Sequence, residues 1–287
     1  MYRTILVPGL IPVCDPQAMD LATRLARHLG AGRIEYLHVH PDARELARHT
    51  ASLDLQSAAF AGQVWDALVE GDKTCTTRSR KSFDTFCARD TLTGEGAVSA
   101  AFRECDGNAG DCAVAEARYA DLVVLGRPGA PEDLTAGAAG EVLVESGRPV
   151  LLTPSQACAN PLSTVAIAWK QSAAAAHAAA AAMPLLKKAQ RIHIVSVAES
   201  GEEEEARRAA ERLAAALSRH GLHPNAVTLR AGGRAASDVL LEAAAQTLEA
   251  GVLVMGGYGH SRARELVFGG VTRAVLRAAP LPVLLAH

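Results

Sequence analysis

Short runs of apolar residues alternate with longer amphipathic or alanine-rich stretches along the whole chain. In the first half the apolar runs include TILVP (4–8), RIEYLHVH (33–40) and DLVVLG (121–126). Runs of this length between polar segments indicate strands that are buried on both faces. Because such strands alternate with helical patterns, the sequence predicts an α/β fold with a parallel sheet covered by helices on both sides.

The second half of the chain repeats the pattern of the first. TVAIAW (164–169) matches TILVP, RIHIVSVA (191–198) matches RIEYLHVH, and EAGVLVMGGYG (249–259) matches YADLVVLGRPG (119–129). Each half then closes with a helix and a final strand. The stretch TPSQACANPLS (153–163) lies between them and has the composition of a linker. The sequence therefore predicts two tandem, doubly wound, Rossmann-like α/β domains of five parallel strands each.

The two halves differ in their middles. The first half carries a polar insertion, roughly residues 41–110, for which we expect exposed loops around one or two helices. The second half is compact and has one clear amphipathic helix in EEEEARRAAERLAAALSRHGL (202–222). The acidic opening of that helix suits the positive end of its macrodipole, so we interpret it as a cap and solvated face.

Composition and charge exclude several functions. The 287 residues carry a net charge of −2, which gives no general attraction to nucleic acid or to a membrane surface. The chain has no apolar run of about 18 residues, and MYRTILVPG lacks the features of a signal peptide. We therefore expect a cytoplasmic protein that binds neither nucleic acid nor membrane. Residues 1–160 have an acidic excess and residues 161–287 a basic one, which favours an anion site in the second half.

Cysteine and histidine positions leave two hypotheses open. All six cysteines lie in the first 160 residues without a CxxC pair, so we expect free thiols, although Cys87 and Cys105 can pair under oxidation. His38 and His40 share one face of a strand. They are either an ordinary polar strand end or, with His49 or a cysteine, a metal site. We predict no metal.

A glycine-rich stretch, MGGYGHSRARELVFGGVTRAVL (255–276), follows an apolar strand and leads into a helix near Gly270. Glycines at such a point let backbone amides approach an anion, and the following helix directs its N-terminal amides to the same place. The alternative is a turn that is retained for fold geometry alone. The candidate ligand contacts in this stretch are Met255, Gly256, Tyr258, Gly259, His260, Gly269, Gly270, Val271 and Thr272.

This arrangement resembles the universal stress protein family. In that family a strand ending in Met-Gly leads into G-x2-G-x9-G-(S/T), which wraps the ribose and phosphates of ATP, and Gly256, Gly259 and Gly269 have this spacing. The resemblance implies a tandem two-domain member with the fold of the adenine nucleotide alpha hydrolases and strand order 3-2-1-4-5 in each domain. It also implies ATP between strands 1 and 4, where Lys170 and Val197 complete the predicted site.

Two positions depart from the family pattern. Gly270 stands where the family has serine or threonine, although Thr272 can supply a hydroxyl two residues later. Lys170 stands where ATP-binding members usually carry an acid near the adenine, and its ammonium group accepts no hydrogen bond. Its side chain can instead meet an anion or extend into water.

The first half departs further from the same pattern. Its loop after DLVVLG is shorter than in the second half and contains Pro128 and Pro131, which lack amide donors. We therefore expect no ATP there. The predicted domains are a degenerate N-terminal domain at 1–157, which includes the insertion, and a C-terminal nucleotide-binding domain at 162–287.

The function predicted from these features is nucleotide binding in a stress response. We expect no catalysis, because the sequence contains no nucleophile elbow, no P-loop and no paired carboxylates near the glycines. ATP or another adenine nucleotide would act through conformation or an unidentified protein partner. We also expect LLTP (151–154) to pair with the final strand, VLLAH (283–287), and a homodimer is a further hypothesis. The alternatives are a protein-interaction module that binds no nucleotide and a weak ATPase.

Overall fold

The computed structural model describes the chain as two successive sets of strands and helices. The described residues are 2–10, 15–30, 32–41, 57–88, 98–127, 138–154, 160–257 and 270–287. The elements of the first half are β1 (Thr4–Pro8), α1 (Asp15–Leu29), β2 (Arg33–Pro41), α2 (Ser57–Cys87), β3 (Ser99–Gly107), α3 (Ala109–Ala117), β4 (Leu122–Leu125), α4 (Ala138–Glu145) and β5 (Val150–Leu152). Those of the second half are β6 (Thr164–Ala168), α5 (Ala173–Ala181), α6 (Met183–Leu186), β7 (Arg191–Ala198), α7 (Glu203–Ser218), β8 (Pro224–Arg230), α8 (Ala236–Glu242), a π-helical turn (Ala243–Thr247), β9 (Val252–Gly256), α9 (Gly270–Ala278) and β10 (Val283–Ala286). Among the helices of these residues, none combines the length and the apolar character that crossing a bilayer requires.

The described strands form one sheet that runs through both halves. Their order is β3-β2-β1-β4-β5-β10-β9-β6-β7-β8, so the order 3-2-1-4-5 occurs twice. Neighbouring strands are parallel within each half, as predicted. The two halves meet where β5 and β10 pair antiparallel, with Leu151 opposite Leu284. The expected pairing of the two final strands is therefore confirmed.

Helices cover both faces of this sheet, and each face has its own apolar core. One core contains side chains from α1, α2, α5, α6 and α7, and the other contains side chains from α3, α4, α8 and α9. The central strands, such as β4 and β9, are buried along almost their whole length. This burial on both faces is the reason why their sequences are continuously apolar rather than alternating.

The polar span 41–110 has more regular structure than the expected loops around one or two helices. Its described residues form the long helix α2, the edge strand β3 and the beginning of α3, while residues 42–56 and 89–97 lie outside the described part. Among the described strands, β3 pairs only with β2, and its residues are half-buried or exposed. Because β3 is an edge strand, it lacks the continuous apolar run that marks the central strands. For this reason the sequence pattern does not predict it.

The acidic run that opens α7 lies in the first turn of that helix. Glu204 pairs with Arg207 and Arg208, and Glu203 Oε2 accepts a hydrogen bond of 2.9 Å from the amide of Gly201. These pairs and the backbone amides hold the pKa of both carboxyls below the usual value. The run is a solvated helix start, as predicted.

Two half-buried histidines, His193 and His28, make the stability of the fold sensitive to acid. His193 on β7 is half-buried, and its ring nitrogens have no hydrogen-bond partner among the described residues. Burial, and to a smaller extent the charge of Arg191, lowers its pKa below 6.5. Burial and Lys188 lower the pKa of His28 in the same way. Below about pH 6.5 the unfolded chain therefore binds more protons than the folded one, and stability falls with falling pH.

We expect the variant His193→Gln to lose less stability on acidification than the unaltered chain. The affected window begins at about pH 6.5 and extends downward, because above it both states hold a neutral imidazole. Thermal melts at about pH 7.5 and about pH 5.5 measure the difference. His220→Gln, which alters an exposed histidine after α7, is the control. An equal acid-induced fall in melting temperature for His193→Gln and His220→Gln would contradict this origin.

Candidate functional site

The carboxyl edge of the second half has the form of a topological switch point. Strands β6 and β9 are neighbours, but the chain leaves β6 towards α5 on one face of the sheet and leaves β9 towards α9 on the other. The helices that follow these two neighbouring strands therefore pack on opposite faces of the sheet. In doubly wound sheets ligands bind beyond the carboxyl ends of the strands at such a switch point.

Gly256, the last residue of β9, lies directly beneath the first turn of α5. A Cβ atom at this position would be 2.6 Å from the carbonyl carbon of Ala174 and 2.6 Å from the amide nitrogen of Ala175. These are backbone atoms, which cannot move aside as a flexible side chain can. Only glycine therefore allows the end of β9 to approach the N-terminus of α5 this closely.

The next residue, Gly257, has a different environment. Its amide donates a hydrogen bond of 2.9 Å to the carbonyl of Ala286, which extends the pairing with β10. A Cβ atom there would be 3.7 Å from its nearest neighbour, Leu143 Cδ2, which is ordinary contact. Close approach of the backbone is thus required at Gly256 and not at Gly257.

The first turn of α5 is capped by Ser172, which is not among the predicted site residues. Ser172 has an extended backbone, and its Oγ accepts a hydrogen bond of 3.2 Å from the amide of Ala175. This is the geometry of an N-cap, and a serine directly before a helical alanine run is its sequence signal. Through Ser172 the positive end of α5 is fixed at the edge beside Gly256.

The chain leaves β6 along a path that is fixed by Trp169. Its amide donates to the carbonyl of Val195 at 2.8 Å, its carbonyl accepts from Ser196 Oγ at 3.0 Å, and its indole Nε1 donates to the carbonyl of Ala209 at 3.1 Å. Lys170 follows this anchored residue and is exposed.

The predicted site residues fall into three groups. The structure brings the ends of three adjacent strands to the same edge, and these carry Lys170, Val197, Met255 and Gly256. Met255 is only 5% exposed, because its side chain belongs to the apolar core on the α9 side, and Val197 packs half-buried against that core. The first turn of α9 carries Gly270, Val271 and Thr272, of which the first two are exposed and Thr272 is buried. The residues outside the described part are Tyr258, Gly259, His260 and Gly269.

The structure also contains a cleft beside this edge that the sequence does not predict. It has a volume of about 430 Å³ and lies between Trp169 and α7, where Arg212 and Arg219 contribute to its lining. The two arginines are seven residues apart, which places them on one face of the helix. That spacing is the only sequence signal of the cleft, and it is common on solvated helices.

The corresponding edge of the first half is built differently. Arg127 stands where the second half has Gly257, and its side chain is only 7% exposed. Its Nη1 donates a hydrogen bond of 2.8 Å to the carbonyl of Ala279, just after the last residue of α9. Burial lowers the pKa of Arg127 to about 10, so the guanidinium stays charged at neutral pH. At this edge a cation therefore links the two halves.

His38 and His40 lie on one face of β2, as their alternation predicts. His38 Nε2 is 3.0 Å and His40 Nδ1 is 3.4 Å from Oγ1 of Thr76 on α2, and His40 Nε2 is 3.7 Å from Glu104 Oε1. His49 lies outside the described residues. Across the described ranges, no group of three or more histidine, cysteine or acidic side chains is arranged to hold a metal ion. Here the two histidines form a hydrogen-bonded polar strand end.

Fold and edge together define a tandem doubly wound α/β protein with a glycine-lined switch point in its second half. The chain belongs to the universal stress protein family. The model of that family, described as "Universal stress protein family", matches residues 1–154 and again residues 160–287. The chain is thus a tandem member with two copies of the family's domain. Curated protein sequences give no match.

Solved structures that match almost the whole chain support the same fold. A universal stress protein from Archaeoglobus fulgidus has a TM-score of 0.63 at 17% identity, with 99% of this chain and 95% of its own covered. A functionally unknown protein from Pseudomonas aeruginosa has a TM-score of 0.52 at 16% identity, with 99% and 92% covered. Another universal stress protein, solved in complex with cAMP, has a TM-score of 0.29 at 19% identity and matches 53% of this chain. The cAMP is an observation on that protein alone.

Proposed function

We propose that the second half of this universal stress protein binds an adenine nucleotide, with ATP as the leading candidate. The observation that carries this proposal is the position of Gly256 beneath the first turn of α5. The protein would act in a cytoplasmic stress response through nucleotide-dependent conformation or partner binding, and not as an enzyme.

The chemistry at this edge favours a phosphate group. The first amides of a helix have no acceptor within the helix and carry its positive dipole end. Helix α5 begins beside Gly256, and α9 begins at Gly270 after the glycine-rich segment. Anions are stabilised at such helix starts. The close packing at Gly256 brings the start of α5 to the end of β9, and the glycine spacing of the sequence is typical of a phosphate-binding segment at that edge.

Lys170 decides which part of the nucleotide contributes most to binding. It has donors but no acceptor, so it offers no hydrogen-bond acceptor to the amino group of adenine. As an exposed cation at the end of β6, it is suited to an anion. We therefore propose that affinity depends more on the phosphates than on the base, and that GTP binds within about tenfold of ATP.

Calorimetric titration of the full chain with ATP, ADP and AMP tests the proposal. We expect binding of ATP, and about fivefold weaker binding for Lys170→Ala, which corresponds to about 1 kcal/mol. Lys187→Ala removes an exposed lysine after α6 and is the matched control, with unchanged affinity expected. Mass spectrometry of the denatured protein shows in addition whether a nucleotide is carried through purification.

Each alternative function has its own outcome in these experiments. No heat of binding at millimolar ATP, together with no copurified nucleotide, would overturn the proposal in favour of a protein-interaction module. Sustained release of phosphate from ATP would favour the weak ATPase instead. Equal losses for Lys170→Ala and Lys187→Ala would place the nucleotide away from the end of β6.

A further inference from the structure

Two cysteine sulfurs lie in contact at the carboxyl edge of the first half. Cys105 Sγ, near the end of β3, is 2.7 Å from Cys112 Sγ, in the first turn of α3. A disulfide bond is about 2.05 Å long, so the sulfurs need to approach by only about 0.7 Å to form one. Both cysteines are free thiols in the structure.

The turn between β3 and α3 brings these sulfurs together. Asn108 caps the helix, and its Oδ1 accepts hydrogen bonds from the amides of Gly110 at 2.8 Å and Asp111 at 3.3 Å. The amide of Cys112 donates to the carbonyl of Asn108 at 2.9 Å, which is the first helical hydrogen bond. The cap therefore fixes Cys112 above the end of the strand.

Gly107 provides the space for the buried sulfur. Its φ is +148°, a conformation that side chains rarely adopt, and a Cβ atom there would be 3.2 Å from Cys112 Sγ. The carbonyl of Asp106 lies 3.7 Å from Cys112 Sγ and 3.9 Å from Cys105 Sγ. A close sulfur pair is thus compatible with glycine at position 107 and strained with other residues.

The two thiols differ in access, and the environment of Cys112 favours its protonated form. Cys105 is half-buried, whereas Cys112 is 7% exposed. Burial, the hydrogen bond with Cys105 and the charges of Asp111 and Asp106 raise the pKa of Cys112 to about 12. Cys112 therefore keeps its proton at neutral pH, and Cys105 is the sulfur that an oxidant from solution reaches first.

We propose that Cys105 and Cys112 are a reversible oxidation site that forms an intrachain disulfide with hydrogen peroxide. Cys105 releases its thiol proton, and the thiolate attacks one peroxide oxygen. The O–O bond breaks, Cys105 becomes a sulfenic acid, and the leaving hydroxide takes up the released proton to give the first water. Cys112 Sγ then attacks the sulfenic sulfur, the S–O bond breaks, and the proton of Cys112 leaves with the second water. Two thiols lose two electrons in total, and one peroxide becomes two waters.

The structure also excludes the pair that the sequence suggests. Cys87, at the end of α2, packs against the apolar core on one face of the sheet, whereas Cys105 packs against the core on the other. The sheet therefore separates the two sulfurs. The partner of Cys105 is Cys112, and the hypothesis of a Cys87–Cys105 pair is wrong for this fold.

Peptide mass spectrometry of the full chain tests this assignment. Trypsin releases residues 104–118 as one peptide that contains both cysteines, while Cys75 and Cys87 fall in separate peptides, 74–78 and 82–89. After treatment with peroxide and alkylation of the unfolded chain, we expect peptide 104–118 to lack both alkyl groups and two hydrogen atoms. Reduction before alkylation should restore the doubly alkylated peptide.

Single variants separate the two sulfurs. In Cys112→Ser the oxidised Cys105 has no partner, so we expect a sulfenic acid that a 1,3-dione reagent labels, whereas Cys105→Ser should give little label at Cys112. Cys87→Ser, with a thermal melt of each variant to verify folding, should leave the disulfide intact. Full alkylation of peptide 104–118 at a peroxide level that oxidises the exposed Cys75 would overturn the proposal. A cross-link between peptides 82–89 and 104–118 would also overturn it.

Discussion

Replacing Gly256 with alanine is expected to lower the free energy of unfolding by about 1–3 kcal/mol, which is the usual cost of overpacking. The added methyl group would be 2.6 Å from backbone atoms of Ala174 and Ala175, so either the end of β9 or the first turn of α5 has to move. For a chain of this size the loss corresponds to a fall in melting temperature of about 2–10 °C. Thermal or urea unfolding measures it.

Gly257→Ala provides the matched control for this experiment. It adds the same methyl group one residue later, where the nearest atom is 3.7 Å away. We expect a change of less than about 0.5 kcal/mol, as for most substitutions without a clash. If nucleotide binding is confirmed, Gly256→Ala should also weaken ATP binding more than Gly257→Ala does. Equal stabilities for the two variants would contradict a special role of Gly256.

Truncating Leu151 and Leu284 is expected to show directly that the two halves stabilise each other. The two leucines are opposite each other on β5 and β10, both are fully buried, and both belong to the same apolar core. Each change to alanine should cost about 2–5 kcal/mol through lost contacts and an unfilled cavity. Because the side chains are neighbours, the double variant should deviate from additivity by about 0.5–3 kcal/mol.

A distant buried residue provides the control for this double-mutant cycle. Ile34 on β2 lies four strand positions from β10, about 19 Å at the usual strand spacing. Ile34→Ala combined with Leu284→Ala should therefore be additive within about 0.5 kcal/mol. Urea unfolding of the six proteins, including the unaltered chain, gives both coupling energies. If the losses of unfolding free energy for Leu151→Ala and Leu284→Ala were additive, the contact between β5 and β10 would not couple the two halves energetically.

Much of the architecture is predictable because its strands are buried on both faces. The run Val252–Met255 is observed in β9, and the helix that the glycines lead into begins at Gly270, as expected. The positions of these elements depend on periodicity, which a sequence displays directly. The strand order and the pairing of the last strands are expected from the resemblance to the universal stress protein family, and both are observed.

Features that depend on contacts formed only in the folded structure are not predictable in this way. The crowding at Gly256 requires the position of α5, which is far away in sequence, and the contact between Cys105 and Cys112 requires a cap at Asn108 and an open turn at Gly107. Strand β3 is hidden because an edge position relaxes the demand for apolar residues. Arg127 is likewise unremarkable in the sequence, since its partner carbonyl belongs to the other half of the chain.

The antiparallel pairing of β5 with β10 determines where the two candidate sites lie in the molecule. Strands run parallel within each half, so reversing direction at this pairing sends the carboxyl ends of the two halves towards opposite rims of the sheet. Gly256 thus lies at one pole, and the sulfurs of Cys105 and Cys112 lie at the other. A partner that docks at one pole leaves the opposite pole uncovered. The proposed nucleotide and oxidation sites would therefore lie at opposite edges of the same sheet.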